Sequence, residues 1–239
     1  FIFMLFFKNH SYISFNLSDF TFSTDIIWDI IKVGLPASLS MIVMAVGQGV
    51  FNKILVHISV NTVAAYQVAG RLDMLVFLPI FSIAASLTTL VGMFYGAKEY
   101  GALRYIIKYG IFSALLITII SSTIVYIFAG HVVRFFTDDA SIVIIAVNFL
   151  QIFAFAYPFI SVGITTGRVL QGLGKGLPVL IISIVRVLGV SARLALFFVF
   201  IMDKTVVWVW YSMMLSTIVA FGIGLTWLIS TLKTLPASK

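Results

Sequence analysis

Six stretches of this chain, approximately Val33–His57, Gln67–Tyr95, Tyr109–Ala129, Ser141–Thr166, Pro178–Ile201 and Val206–Ile229, are long and apolar enough to cross a membrane. A hydrocarbon core about 30 Å thick is spanned by about 20 apolar residues at helical rise. The runs are continuous rather than alternating, which excludes the strands of a membrane barrel. Composition agrees: 62% of residues are hydrophobic and 10% charged, too little polarity to cover a soluble globule of this length. The spans are too many, and reach too far along the chain, to be a cleaved signal. The fold class is therefore all-α integral membrane, a bundle of six transmembrane helices.

The formal charge of +7 raises the question of nucleic acid, but the basic residues form no single cluster and lie mainly between the spans. There they set orientation. Lys8, Lys32, Lys98, Arg104, Lys108, Arg168, Lys175, Lys233 and Lys239 occupy one set of connections and ends, against only Arg134 and Lys204 in the alternate set. The positive-inside rule then places both termini in the cytoplasm of a multi-pass cell-membrane protein, with Asp138, Asp139 and Asp203 outside. Trp208 and Trp210 are expected in an outer aromatic belt and Trp227 in an inner one. There are no cysteines, and His10, His57 and His131 are far apart, so no metal centre or cofactor is predicted.

Residue 1 is Phe, opening the apolar run FIFMLFF that ends at Lys8. The expectation is a fragment whose preceding span has been cut. A polar, aromatic stretch follows, and then Ile26, Ile27, Ile30 and Ile31 repeat at helical spacing opposite Asp25, Asp29 and Lys32. That pattern predicts a short amphipathic helix on the membrane surface, anchored by Trp28. The predicted organisation is a linker over 1–32, a six-helix lobe over 33–232 and a cytoplasmic tail over 233–239.

Asp73 is the one carboxylate placed inside a span, and an ionisable group at membrane depth marks a functional site unless it lies at the interface. Lys53 on the first span and Asp73 on the second fall at similar depths and are expected to meet near the outer half. Gln48 and Asn52 are four apart, as are Gln67 and Arg71, so each pair shares a helical face. Such pairs either line a cavity or join helices, and joining is slightly favoured. Arg186 and Arg193, seven apart, are expected on one face of the fifth span. Arg186 is read there as a structural donor to neighbouring helix ends, while Arg193 is balanced between structure and substrate contact. Tyr66, Phe77, Tyr157, Met41 and Met44 offer area for planar cations or ordinary filling, and Pro158 predicts a kink in span four. No constellation suited to enzymatic catalysis is present: GLGKG lacks the residues of a phosphate loop, and Ser121, Ser122 and Thr123 have no base nearby in sequence.

Four segments, VGLPASLS, VAAYQVAGRLDMLVFLP, VGMFYGAKE and GRVLQGLGKGLPVLIISIVR, resemble the multidrug and toxic compound extrusion (MATE) transporters, in the order of the second half of those proteins. The prolines and glycines in them have a physical reading as well. Pro36 and Pro178 suit helix starts, and Gly172, Gly174 and Gly176 suit a tight turn rather than substrate contact. The resemblance implies one lobe of a twelve-helix exporter, completed by a missing N-terminal lobe, that moves drugs or organic cations outward by alternating access. The coupling ion would be H+ or Na+. The sodium-coupled branch carries acids on the first and fourth helices of this half, whereas GLPASLSMIVMAVG and AFAYPFISVGITTG have none. Principal coupling is therefore expected in the other lobe, with Asp73 auxiliary. The rival readings are a lipid-linked saccharide flippase of the same superfamily and a non-transporting membrane remnant.

Overall fold

A computed structural model describes residues 23–236, and in it all six spans are helices. They are α1 (Thr24–Ile58), α2 (Val60–Gly96), α3 (Tyr100–Arg134), α4 (Ala140–Gly172), α5 (Leu177–Ile201) and α6 (Val206–Lys233). Most extend several residues beyond the apolar runs that announced them. Apolarity marks only what must face lipid, whereas the backbone keeps its own hydrogen bonds wherever water is scarce. The predicted surface helix around Trp28 is continuous with the first span, because α1 runs unbroken from Thr24 to Ile58. The linker and end-of-helix readings for residues 1–22 lie outside the described residues.

Residues from Lys32 onward form one packed unit. Within it α4 is the central element, packed against α2, α3, α5 and α6, whereas α1 is the least buried of the six. Two apolar clusters hold the bundle. The larger, around Phe51, Leu72, Phe149, Ala195 and Trp210, lies toward the end bearing the α1–α2 turn. The smaller, around Leu87, Leu103, Leu170 and Leu228, lies toward the opposite end. Hydroxyls inside the bundle turn back on their own helices: Thr118 Oγ1 donates to the Ala114 carbonyl, and Ser216 Oγ and Thr217 Oγ1 both donate to that of Met213.

Local chemistry fixes the ends. Only Ser59 separates α1 from α2, and its hydroxyl accepts the Thr62 N–H at 3.1 Å. Asp139 caps α4, accepting the Ser141 N–H at 2.8 Å and the Ile142 N–H at 3.3 Å. The Ser141 hydroxyl bond and these backbone donors hold the Asp139 carboxyl below its ordinary 3.8. After α4, Gly174 takes φ +77°, the Lys175 N–H reaches the Leu170 carbonyl, and the Gly174 N–H reaches that of Gln171. This is the left-handed glycine stop of a Schellman turn. The same hydrogen-bond pattern closes α2 over Phe94 and Tyr95, but there Lys98 occupies the left-handed position, at φ 60°.

Two predicted breaks fall inside helices. Pro36 stands well within α1 rather than at its start. It deletes the N–H that the helix would offer to the carbonyl four residues back, and at this turn Gly176 comes close. A Cβ on Gly176 would sit 2.6 Å from the Val33 carbonyl oxygen. Gly172 makes a similar approach to α2, since a Cβ there would lie 2.7 Å from the Thr88 carbonyl oxygen. Pro158 lies within the continuous α4. The fifth helix holds what periodicity did not announce: residues Val185–Ser191 and Phe197–Ile201 are wound as π-helix.

Candidate functional site

A cavity of about 430 Å³ lies among α1, α2, α4, α5 and α6. Its apolar wall is built from Met44, Phe51, Phe149, Phe153 and Met213, and its polar groups are Gln48, Tyr66, Asp73, Arg186, Ser191, Ser216 and Thr217. Gly47 makes the closure possible: a Cβ there would fall 2.1 Å from Val187 Cγ1, so only glycine lets α1 lie this close to α5.

Asp73 reaches the cavity because Tyr66 and Asp73 are seven residues apart on α2 and point the same way. Its carboxylate accepts a hydrogen bond from the Tyr157 hydroxyl, across from α4. Tyr157 is fully buried, and its ring is held edge-on by Phe77 at a centroid distance of 5.4 Å. From there an aromatic run continues through Phe153 and Phe149 to Trp210, which stacks on Tyr66 at 5.8 Å. The wall around the acid is thus rigid and aromatic. Trp210 corrects an expectation: it is 0% exposed and belongs to the core rather than to an outer aromatic belt, while Trp208 is 40% exposed. Trp210 follows Trp208 by two residues, so the two point to different sides of α6.

The other predicted residues divide. Gln48 and Arg186 line the same cavity as Asp73. Lys53 and Arg71 are exposed, so the anticipated meeting of Lys53 with Asp73 does not occur. Gln67 donates to Asn52 at 3.4 Å, joining α2 to α1 outside the cavity. Arg193 is exposed and is not among the residues lining the cavity beside Arg186. The π-helical segment Val185–Ser191 covers most of the stretch between them, and its wider i to i+5 winding means that seven residues no longer make two full turns. Arg186 is also not the anticipated donor to helix ends, since among the described residues it makes no hydrogen bond and no ion pair.

Sequence reasoning had Tyr157 only as filling or a cation contact, and passed over Ser191, Ser216, Thr217 and Gly47. The spacing of Tyr66 and Asp73 was a usable signal. Nothing in sequence announced Tyr157 as the carboxylate's partner, since the two are 84 positions apart. Among the described residues no three His, Cys, Asp or Glu side chains group as a metal site.

Comparison with known proteins completes the picture. The probable multidrug resistance protein NorM of Thermotoga maritima is 28% identical over 72% of this chain and 37% of its own length. The multidrug export protein MepA of Staphylococcus aureus is 26% identical over 78% of this chain and 41% of its own. Among solved structures, a MATE protein in its straight conformation superposes with a TM-score of 0.91 at 29% identity, covering 98% of this chain and 52% of that one. A MOP superfamily transporter from Pyrococcus furiosus, described as having a binding pocket of reverse polarity that suggests a different function, gives 0.88 at 30%, with the same coverage. The chain thus spans about half the length of these structures. The family profile described as MatE matches residues 36–197, most of the packed bundle, and the chain belongs to the MatE family.

Proposed function

We propose that this chain forms the C-terminal lobe of a secondary exporter that moves organic cations or other drugs outward in exchange for H+ or Na+. The observation that carries the reading is Asp73, a carboxylate at membrane depth facing an aromatic-walled cavity. A carboxylate beside aromatic faces attracts a cation through charge and ring quadrupole together. The names of the relatives, multidrug resistance and multidrug export, agree with such cargo. In this reading the other lobe supplies the rest of the path, and both termini are cytoplasmic.

The decisive measurement is efflux of a fluorescent organic cation by the full-length protein, comparing wild type with Asp73→Asn. Slower efflux with an altered pH or sodium dependence is expected. Unchanged coupling and unchanged drug resistance would remove Asp73 from the mechanism. The same assay on the 239-residue chain, alone and joined to a preceding six-helix segment, separates a transporter lobe from a non-transporting remnant.

A saccharide flippase would gather several basic residues on one surface for lipid-linked phosphates. Arg186 lines the cavity, whereas Arg71 and Arg193 are exposed and do not. The three arginines are thus not gathered at one cavity, and the Pyrococcus furiosus neighbour, whose reverse pocket polarity is described as suggesting a different function, makes cargo a separate question from family likeness.

A further inference from the structure

Arg186 is a guanidinium inside a membrane-embedded bundle, lining a cavity together with an acid, yet the two do not form an ion pair. A charge in this setting is costly unless another group answers it. Among the described residues no carboxylate or carbonyl accepts a hydrogen bond from it, and its electrostatic neighbour in the cavity is the Tyr66 hydroxyl. The donors around Arg186 share its condition. Ser191, one helical turn further along α5, is 3% exposed, lines the cavity and makes no hydrogen bond among the described residues. Gln48, brought alongside by the Gly47–Val187 contact, likewise has none. Across the cavity the polarity is opposite. Ser216 and Thr217 have committed their protons to the Met213 carbonyl and present only oxygen, as Asp73 does. The cavity therefore has a side of donors, on α1 and α5, facing an acceptor side on α2 and α6, where only the Tyr66 hydroxyl can also donate.

We propose that Arg186, Ser191 and Gln48 form an anion subsite within this lobe. The planar fork of a guanidinium matches a carboxylate or a small monovalent anion, and Ser191 and Gln48 add donors at the same wall. An anion alone would share the cavity with the Asp73 carboxyl group and be opposed by it whenever that group is ionised. It is accommodated together with positive charge on the acceptor side, so the subsite takes either a free anion such as chloride or the anionic end of an amphoteric molecule whose cationic end reaches Asp73. The subsite goes beyond the export reading and does not depend on it.

The test uses the 239-residue chain in nanodiscs with two probes: chloride, followed by its NMR line broadening, and γ-aminobutyrate, followed by saturation-transfer NMR. Saturable binding of at least one probe is expected, weakened at least about tenfold by Arg186→Gln, as loss of a charged hydrogen bond requires, and untouched by Arg193→Gln. If the natural occupant is amphoteric, Asp73→Asn weakens γ-aminobutyrate and spares chloride. If it is a free ion, chloride binds and γ-aminobutyrate does not compete. Absence of saturable binding for both probes overturns the proposal, as does equal loss in the two arginine variants. Should Arg186→Gln fail to fold, Arg186→Lys decides: weaker binding supports the subsite, and unchanged affinity for both probes overturns it. Because no transport is measured, failure of the efflux assay leaves this result standing.

Discussion

Tyr157 bears on Asp73 more directly than any charged residue in the lobe. The Tyr157 hydroxyl is the carboxylate's hydrogen-bond donor, and its ring is locked by Phe77 and Phe153. Removing the hydroxyl alone leaves the ring packing in place and takes one donor from a partly buried acid. Tyr157→Phe is therefore expected to lower stability by about 1 kcal/mol, measured by thermal unfolding in neutral detergent, with cavity-side solvent limiting the loss. In combination with Asp73→Asn the two effects should fall short of additive, since both remove one interaction. Strict additivity would mean that the contact contributes nothing. Asp73 was legible in the sequence because a lone acid in an apolar run stands out. Its partner was not, because tyrosines abound in membrane helices and only the tertiary fold selects Tyr157. Arg186 shows the reverse: the residue was conspicuous, but its assignment to helix ends failed once the structure put it at a cavity wall.

Among the helices themselves, ends and interruptions carry most of the information. The two Schellman turns are a natural comparison, since Gly174 adopts φ +77° without a Cβ while Lys98 adopts φ 60° with one. A side-chain-bearing residue in the left-handed region costs roughly 1–2 kcal/mol. Lys98→Gly should accordingly raise stability by about 1 kcal/mol, read as a higher thermal midpoint with unchanged helix content by circular dichroism. A lower midpoint would show that the Lys98 side chain contributes more than its backbone costs. The glycines at the α4–α5 turn were readable as turn formers from their spacing, and Gly174 is one. Gly172 and Gly176 act instead by close approach to backbone on α2 and α1, a relation between elements distant in sequence. The π-helical turns of α5 were not readable at all. FFVFI is wholly apolar and VRVLGVS differs from its α-helical neighbours by Arg186, Gly189 and Ser191, none of which specifies a wider winding.

At the scale of the whole lobe, the pattern of long apolar runs was enough to reveal six helices, because a chain in lipid has few other ways to satisfy its backbone. Their packing was not revealed by the same pattern. Membrane helices are apolar all round, so hydrophobicity does not say which face meets protein, and α4 emerges as the centre only in three dimensions. Orientation rests on the lysine and arginine count alone, and the chain offers a clean means of checking it. It contains no cysteine, so single cysteines can be introduced without background and probed with a membrane-impermeant maleimide. Asp138 and Lys204 are exposed in the α3–α4 and α5–α6 connections, and Glu99 and Lys175 are exposed in the α2–α3 and α4–α5 connections. In intact cells Asp138→Cys and Lys204→Cys should label, whereas Glu99→Cys and Lys175→Cys should label only after permeabilisation. The opposite pattern would invert the lobe in the membrane. It would also place the stop of α4 at Gly174, and the nearby Lys175, on the outer face, against the charge asymmetry from which the orientation is argued.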